Sequence, residues 1–134
     1  MFNQEVQRPT FMNKTVLAIE DNKVNMLLVS RVVEAAGYNL IRAEDGPRAL
    51  ELLKEHEPDI ILLDVNIPGI HGLELARIIK EDERLANVPV IATTANVLVG
   101  DKERCLDAGC DDYLPKPLDI RRLRDVMHHY LQPA

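Results

Sequence analysis

Apolar and polar positions fall into two alternating patterns along this chain. Thr15–Ile19 (TVLAI), Asp59–Asp64 (DIILLD) and Val88–Thr93 (VPVIAT) are apolar runs with little polar alternation. Such runs predict strands buried on both faces. Asn39–Ala43 (NLIRA) is less apolar and reads as a strand at a sheet edge, and Asp112–Leu114 supplies a short fifth strand. Pro89 is compatible with a strand because it stands at its start. The stretches between these runs follow helical spacing. Val24, Leu27, Leu28 and Val32 predict a first helix, capped by Asn22 and stopped at Gly37. Asp45-Gly46-Pro47 opens a second helix, with Pro47 in its first turn and Ala49, Leu50, Leu52 and Leu53 on its apolar side. A third begins near Gly72 and carries Leu73, Ala76, Ile78 and Ile79. A fourth lies between Val97 and Ala108 and ends at Gly109, and its first turn is weakly determined by Val97, Val99 and Gly100. Asp119 caps the last helix, whose stripe is Ile120, Leu123, Val126, Met127, Tyr130 and Leu131.

Strands alternating with helices predict a parallel sheet covered by helices on both faces. Five short strands favour a flavodoxin-like, doubly wound α/β fold with strand order 2-1-3-4-5. Residues 1–13, which include Pro9, read as a flexible N-terminal tail, and residues 14–132 as a single domain.

Composition narrows the function. Sixteen basic against 22 acidic residues give a net charge of −6, which argues against a nucleic-acid surface. Aromatic residues make up 4% with no Trp, so base-stacking platforms are not expected either. Two cysteines, Cys105 and Cys110, make no disulfide framework and fit a reducing, cytoplasmic setting. No apolar run reaches the roughly 18 residues of a membrane span, and the N-terminus has no apolar signal core. There is no GxGxxG or Walker A sequence.

Candidate chemistry gathers at the strand ends. In the predicted order, the C-terminal ends of strands 1, 3, 4 and 5 lie side by side, where open α/β sheets bind their ligands. They carry Glu20 and Asp21, Asp64, Thr93 and Thr94, and Lys116. Two like charges ~4 Å apart cost about 4 kcal/mol at an effective dielectric of 20. Three carboxylates therefore call for a positive partner. A hard divalent cation, Mg²⁺ or Mn²⁺, suits an all-oxygen set, and Lys116 is a second positive charge. A hydroxyl, a lysine and a cation around one carboxylate can bind the oxygens of a phosphoryl group. The carboxylate can itself be the nucleophile, giving an aspartyl phosphate.

Four segments in this order, "AIEDNKVN", "LLDVNIPG", "ATTAN" and "DDYLPKP", resemble the response-regulator receiver domain of two-component signalling. The resemblance runs from about Thr15 to Leu131. It implies that Asp64 is the phosphoacceptor and Asp21 a direct metal ligand, with Glu20 acting through a metal-bound water. It implies that Asn66 gives its backbone carbonyl to the metal. Thr94 matches the switch hydroxyl, with the small Ala95 beside it. Lys116 matches the phosphoryl-binding lysine, preceding a cis peptide bond to Pro117. Tyr113 matches the aromatic whose rotamer follows Thr94. Asn66 and Asn96 fall at positions that tune phosphoryl lifetime. One departure is His71, which stands before Gly72 where the family often has Asp, and it leaves the cap of the third helix open.

The resemblance further implies a sensor histidine kinase or histidine phosphotransfer protein as donor, and a downstream protein effector. The effector would meet the surface made by the fourth helix, fifth strand and fifth helix. The chain would act as a cytoplasmic monomer or weak phosphorylation-dependent dimer, stand-alone or cut from a hybrid kinase. Two other readings compete. A phosphatase-like enzyme with an aspartyl-phosphate intermediate usually has a second Asp two residues after the nucleophile, where this chain has Asn66. A receiver-like scaffold that is never phosphorylated would not need Asp21, Asp64, Thr94 and Lys116 together.

Overall fold

A computed structural model describes residues 14–95 and 101–132. The predicted tail over 1–13, Asn96 and the start of the fourth helix lie outside the described residues. The elements are β1 (Thr15–Ile19), α1 (Lys23–Ala35), β2 (Asn39–Ala43), α2 (Gly46–Leu53), β3 (Ile60–Asp64), α3 (Gly72–Glu81), β4 (Val90–Thr94), α4 (Asp101–Asp107), β5 (Asp112–Pro115) and α5 (Ile120–Leu131). The strands form one parallel sheet in the order β2-β1-β3-β4-β5, as the alternation predicts.

Successive strand residues point to opposite faces, and each face has its own core. Leu17, Ile19, Ile61, Leu63, Val90 and Ala92 pack with Ala49, Leu53, Leu75, Ala76, Ile79 and Cys105 of α2, α3 and α4. Val16, Ala18, Ile60, Leu62, Ile91 and Leu114 pack with Val29, Val32, Val33, Leu123, Met127 and Leu131 of α1 and α5. Every residue of β3 and β4 is buried, whereas β2 has exposed and half-buried positions, in keeping with its place at the edge.

β4 begins two residues later than the hydrophobic pattern suggests. Pro89 has no N–H, but its carbonyl accepts from Ile61 N–H (2.9 Å). The strand continues to Thr94, whose carbonyl accepts the Lys116 N–H (2.8 Å).

The apolar stripe expected on α1 is partly wrong. Val24 is 75% exposed and Leu27 54% exposed. The buried side carries Val29, Ser30, Val32 and Val33. Val24 lies five residues before Val29, and Leu27 five before Val32, a rotation of about 140° on a helix. Apolar spacing alone does not say which of two neighbouring stripes meets the sheet. Ile120, at the first position of α5, is likewise 51% exposed. His71 does cap α3: its Nδ1 accepts from the Leu73 N–H (3.2 Å).

Candidate phosphoryl and metal site

The strand order sets the acids beside one another. β1 runs between β2 and β3, and pairing of Ile19 with Leu63 puts Glu20 next to Asp64. Asp64 pairs with Thr93, and Thr94 with Pro115, so the ends of β3, β4 and β5 lie in one row. Glu20 and Asp64 are buried, and Asp21 is exposed. Each of the three offers a carboxylate oxygen, and these oxygens all lie within 4.8 Å of one another.

Lys116 reaches into this cluster from the end of β5. Its Nζ lies 2.9 Å from Asp64 Oδ2 and 3.1 Å from Glu20 Oε1. Burial by itself would push the lysine down. The hydrogen bonds and charges of Asp64 and Glu20 outweigh it and hold the ammonium above its usual range. Glu20 is shifted up, first by burial and then by Asp64, against the opposing pull of the Asn22 N–H and Lys116. Asn22 N–H donates to Glu20 Oε2 (3.0 Å), and Asn66 N–H donates to Asp64 Oδ1 (2.9 Å). Both acids are thereby held in fixed orientations.

Three carboxylates against one ammonium leave two negative charges in excess, and a divalent cation would balance them. The donors are hard oxygens, one exposed and two buried, as Mg²⁺ requires when it keeps several waters. The residues present therefore fit such an ion. The other sequence-predicted residues that are described stand on, or just after, β3, β4 and β5. Thr94 is fully buried at the end of β4, Ala95 is exposed just beyond it, and Tyr113 is half-buried against the α2–α4 core. Asn66 opens the loop between β3 and α3 with its side chain exposed. The Lys116–Pro117 peptide is cis.

Sequence reasoning missed the support of the site by the junction of β2 and α2. Glu20 N–H donates to the Ala43 carbonyl (3.0 Å), and Gly46 N–H faces the Pro68 carbonyl (3.4 Å). Asp45-Gly46-Pro47 carries the local signal of a helix start, and nothing in it announces a contact with a loop twenty residues onward.

The geometry has counterparts in known proteins. The sequence pattern of the response regulator receiver domain matches residues 16–128. The polar-differentiation response regulator DivK of Brucella ovis is 43% identical over 123 residues, which is 92% of this chain and all of that protein. A crystal structure of the receiver domain of sensor histidine kinase PA1611 from Pseudomonas aeruginosa, with a magnesium ion coordinated in its active site cleft, is 34% identical. It has a TM-score of 0.82 and covers 90% of this chain and 99% of its own. Chemotaxis response regulator CheY4 of Vibrio cholerae superposes with a TM-score of 0.84 at 26% identity, covering 89% of this chain and 99% of its own. On the fold, the grouped carboxylates with their lysine, and these matches, the chain belongs to the response regulator receiver domain family.

Proposed function

We propose that the chain is a phosphoacceptor signalling module, with Asp64 taking a phosphoryl group from the phosphohistidine of a kinase or phosphotransfer protein. The observation that carries this reading is the juxtaposition of Glu20, Asp21 and Asp64 with Lys116 2.9 Å from Asp64 Oδ2. An Asp64 carboxylate oxygen attacks phosphorus. The P–N bond of phosphohistidine breaks as the new P–O bond forms, and the released imidazole nitrogen takes up a proton. Lys116, already on Asp64, stays with the arriving phosphoryl oxygens. Asp21 and Asp64, the Asn66 carbonyl and, through water, Glu20 would hold Mg²⁺ or Mn²⁺, which supplies positive charge to the phosphoryl oxygens. The magnesium in the receiver of PA1611 supports this assignment.

Thr94 sits at the end of β4, where its hydroxyl can turn toward a phosphoryl group on Asp64. Ala95 leaves room for that group, and Tyr113 follows the space that Thr94 vacates. Asn66 and Asn96 set how readily water reaches the aspartyl phosphate. The output is a change in the α4–β5–α5 surface, read by a protein effector, through a two-state equilibrium biased by the new charge. Val24, Leu27 and Ile120 expose apolar side chains on the first two turns of α1 and the first turn of α5, which open from the same sheet edge as Asp64. They offer the donor protein a contact beside the acceptor. The likeness to DivK and CheY4 supports a response regulator, which we read as a cytoplasmic monomer or weak phosphorylation-dependent dimer.

The test is intact-protein mass after incubation with acetyl phosphate and Mg²⁺. The native chain is expected to gain one phosphoryl group. Asp64→Ala, and native protein with chelator, are expected to gain none. A folded native chain that gains no phosphoryl group from acetyl phosphate, nor from a phosphohistidine donor, would overturn the reading in favour of a scaffold.

A further inference from the structure

The carboxylate cluster is braced from a side that contributes no functional group to it. The junction over residues 43–47 touches both halves of the site. On one side it receives the Glu20 N–H at Ala43. On the other, the loop between β3 and α3 rests on the first turn of α2. A Cβ built on Gly46 would stand 2.8 Å from Ile70 Cβ and 3.2 Å from its Cγ1. Non-bonded carbons prefer about 3.5–4.0 Å, so Ile70 occupies the space of the missing side chain. The contact is reciprocal. Gly69 has φ +92°, and a Cβ there would stand 2.8 Å from Pro47 Cδ. Each segment presents a glycine to the other's side chain.

The loop is also closed on itself. Gly72 N–H donates to the Val65 carbonyl (3.1 Å), and a Cβ at Gly72 would lie 2.3 Å from Val65 Cα. Asn66 lies between this closure and the contact with α2. Asp45 Oδ1 accepts the Arg48 N–H (2.7 Å) and fixes the start of α2, where Gly46 is buried. Asn66, Pro68 and Gly69 of the loop are exposed. A methyl group at position 46 would push Ile70 and α2 apart, and Ile70 belongs to the loop that carries Asn66. The displacement needed to restore ordinary carbon contact is on the order of 1 Å. Mg²⁺ holds its ligands at about 2.0–2.1 Å in near-ideal geometry and tolerates little of that.

We propose that Gly46 is a positioning residue for cation binding: by seating Ile70 on the first turn of α2 it fixes the loop, and with it the Asn66 carbonyl, against the carboxylates. This rests on Asn66 being a cation ligand, as proposed above. The test is titration of the purified chain with Mg²⁺, followed by amide chemical shifts, alongside a thermal melt. Gly46→Ala is expected to bind Mg²⁺ about tenfold more weakly, in the range typical of supporting residues. Ile70→Ala keeps Cβ but removes the Cγ1 and Cδ1 that also lie over Gly46, adds no atom, and is expected to weaken binding as well. Gly109→Ala is the control. Gly109 has φ +102°, a Cβ there would crowd Lys80 Cγ at 2.9 Å, and it follows α4 at the opposite edge of the sheet. It is expected to lower the melting temperature and leave Mg²⁺ affinity unchanged.

Native affinity in folded Gly46→Ala, or an equal loss in Gly109→Ala, would overturn the inference. If Gly46→Ala does not fold, native affinity in Ile70→Ala would overturn it alone. A folded native chain that binds no Mg²⁺ would overturn the cation reading beneath it.

Discussion

Single residues show how far side-chain identity specifies environment. Cys110 and Cys105 are both buried around the end of α4, as small apolar residues would be. Burial, with Cys105 and Asp111 close by, pushes the Cys110 thiol up to about 12. A thiol in an unfolded chain titrates near 8.5, so the native state holds this proton longer. The contribution to stability is full below about pH 8.5 and is lost as pH rises toward 12. Cys110 is expected to resist alkylation at pH 8 in the native chain and react promptly in guanidinium, measured by mass. Cys110→Ala is expected to reduce the loss of stability between pH 9 and 12, read from urea midpoints. His71 is a second case. It caps α3 through Nδ1, a geometry in which the proton sits on Nε2. Asp is a better cap and adds negative charge at the positive end of the helix. His71→Asp is expected to stabilise by about 0.5–1 kcal/mol. The urea midpoint should rise with the slope unchanged. Both residues were conspicuous in the sequence, but only their surroundings gave them roles.

Elements were legible wherever one physical pattern dominated. The buried strands, the caps at Asn22, Asp45 and Asp119, and the prolines all sit where local chemistry places them. What failed was orientation, as α1 shows: Val24 and Leu27 match helical spacing yet face outward. A second feature invisible in sequence ties three elements together at the edge of the sheet opposite the site. Lys80 at the end of α3 donates to the Val88 carbonyl (2.7 Å) and pairs with Asp111 (2.8 Å). Asp111 Oδ2 in turn accepts the Val90 N–H (2.8 Å). The Lys80 side chain is only 17% exposed, so solvent does little to replace these partners. Lys80→Met is expected to cost about 2 kcal/mol by urea denaturation, from a lost charge-assisted hydrogen bond and an orphaned acceptor. Phosphorylation by acetyl phosphate is expected to continue at the native rate, since the site lies at the other ends of the strands.

At the scale of the whole molecule, the fold concentrates negative charge that a bound cation would relieve. An ion that binds only the folded chain stabilises it by mass action, by about 2.7 kcal/mol at a hundredfold excess over Kd. Mg²⁺ at that level is expected to raise the melting temperature by on the order of 10 °C. Asp21→Asn is expected to remove most of this rise, and a chelator to remove all of it in the native chain, both read by calorimetry. The parallel sheet, its strand order and the row of functional strand ends were determined by the sequence itself. Unbroken apolar runs must be buried on both faces, and alternation with helices leaves few ways to do so. Tertiary structure alone decided which stripe of α1 is covered and that Lys116 contacts both Glu20 and Asp64. It alone decided that Ile70 fills the space over Gly46. Periodicity describes one element against an unspecified neighbour, whereas these contacts depend on the distance and angle between two elements far apart in the chain.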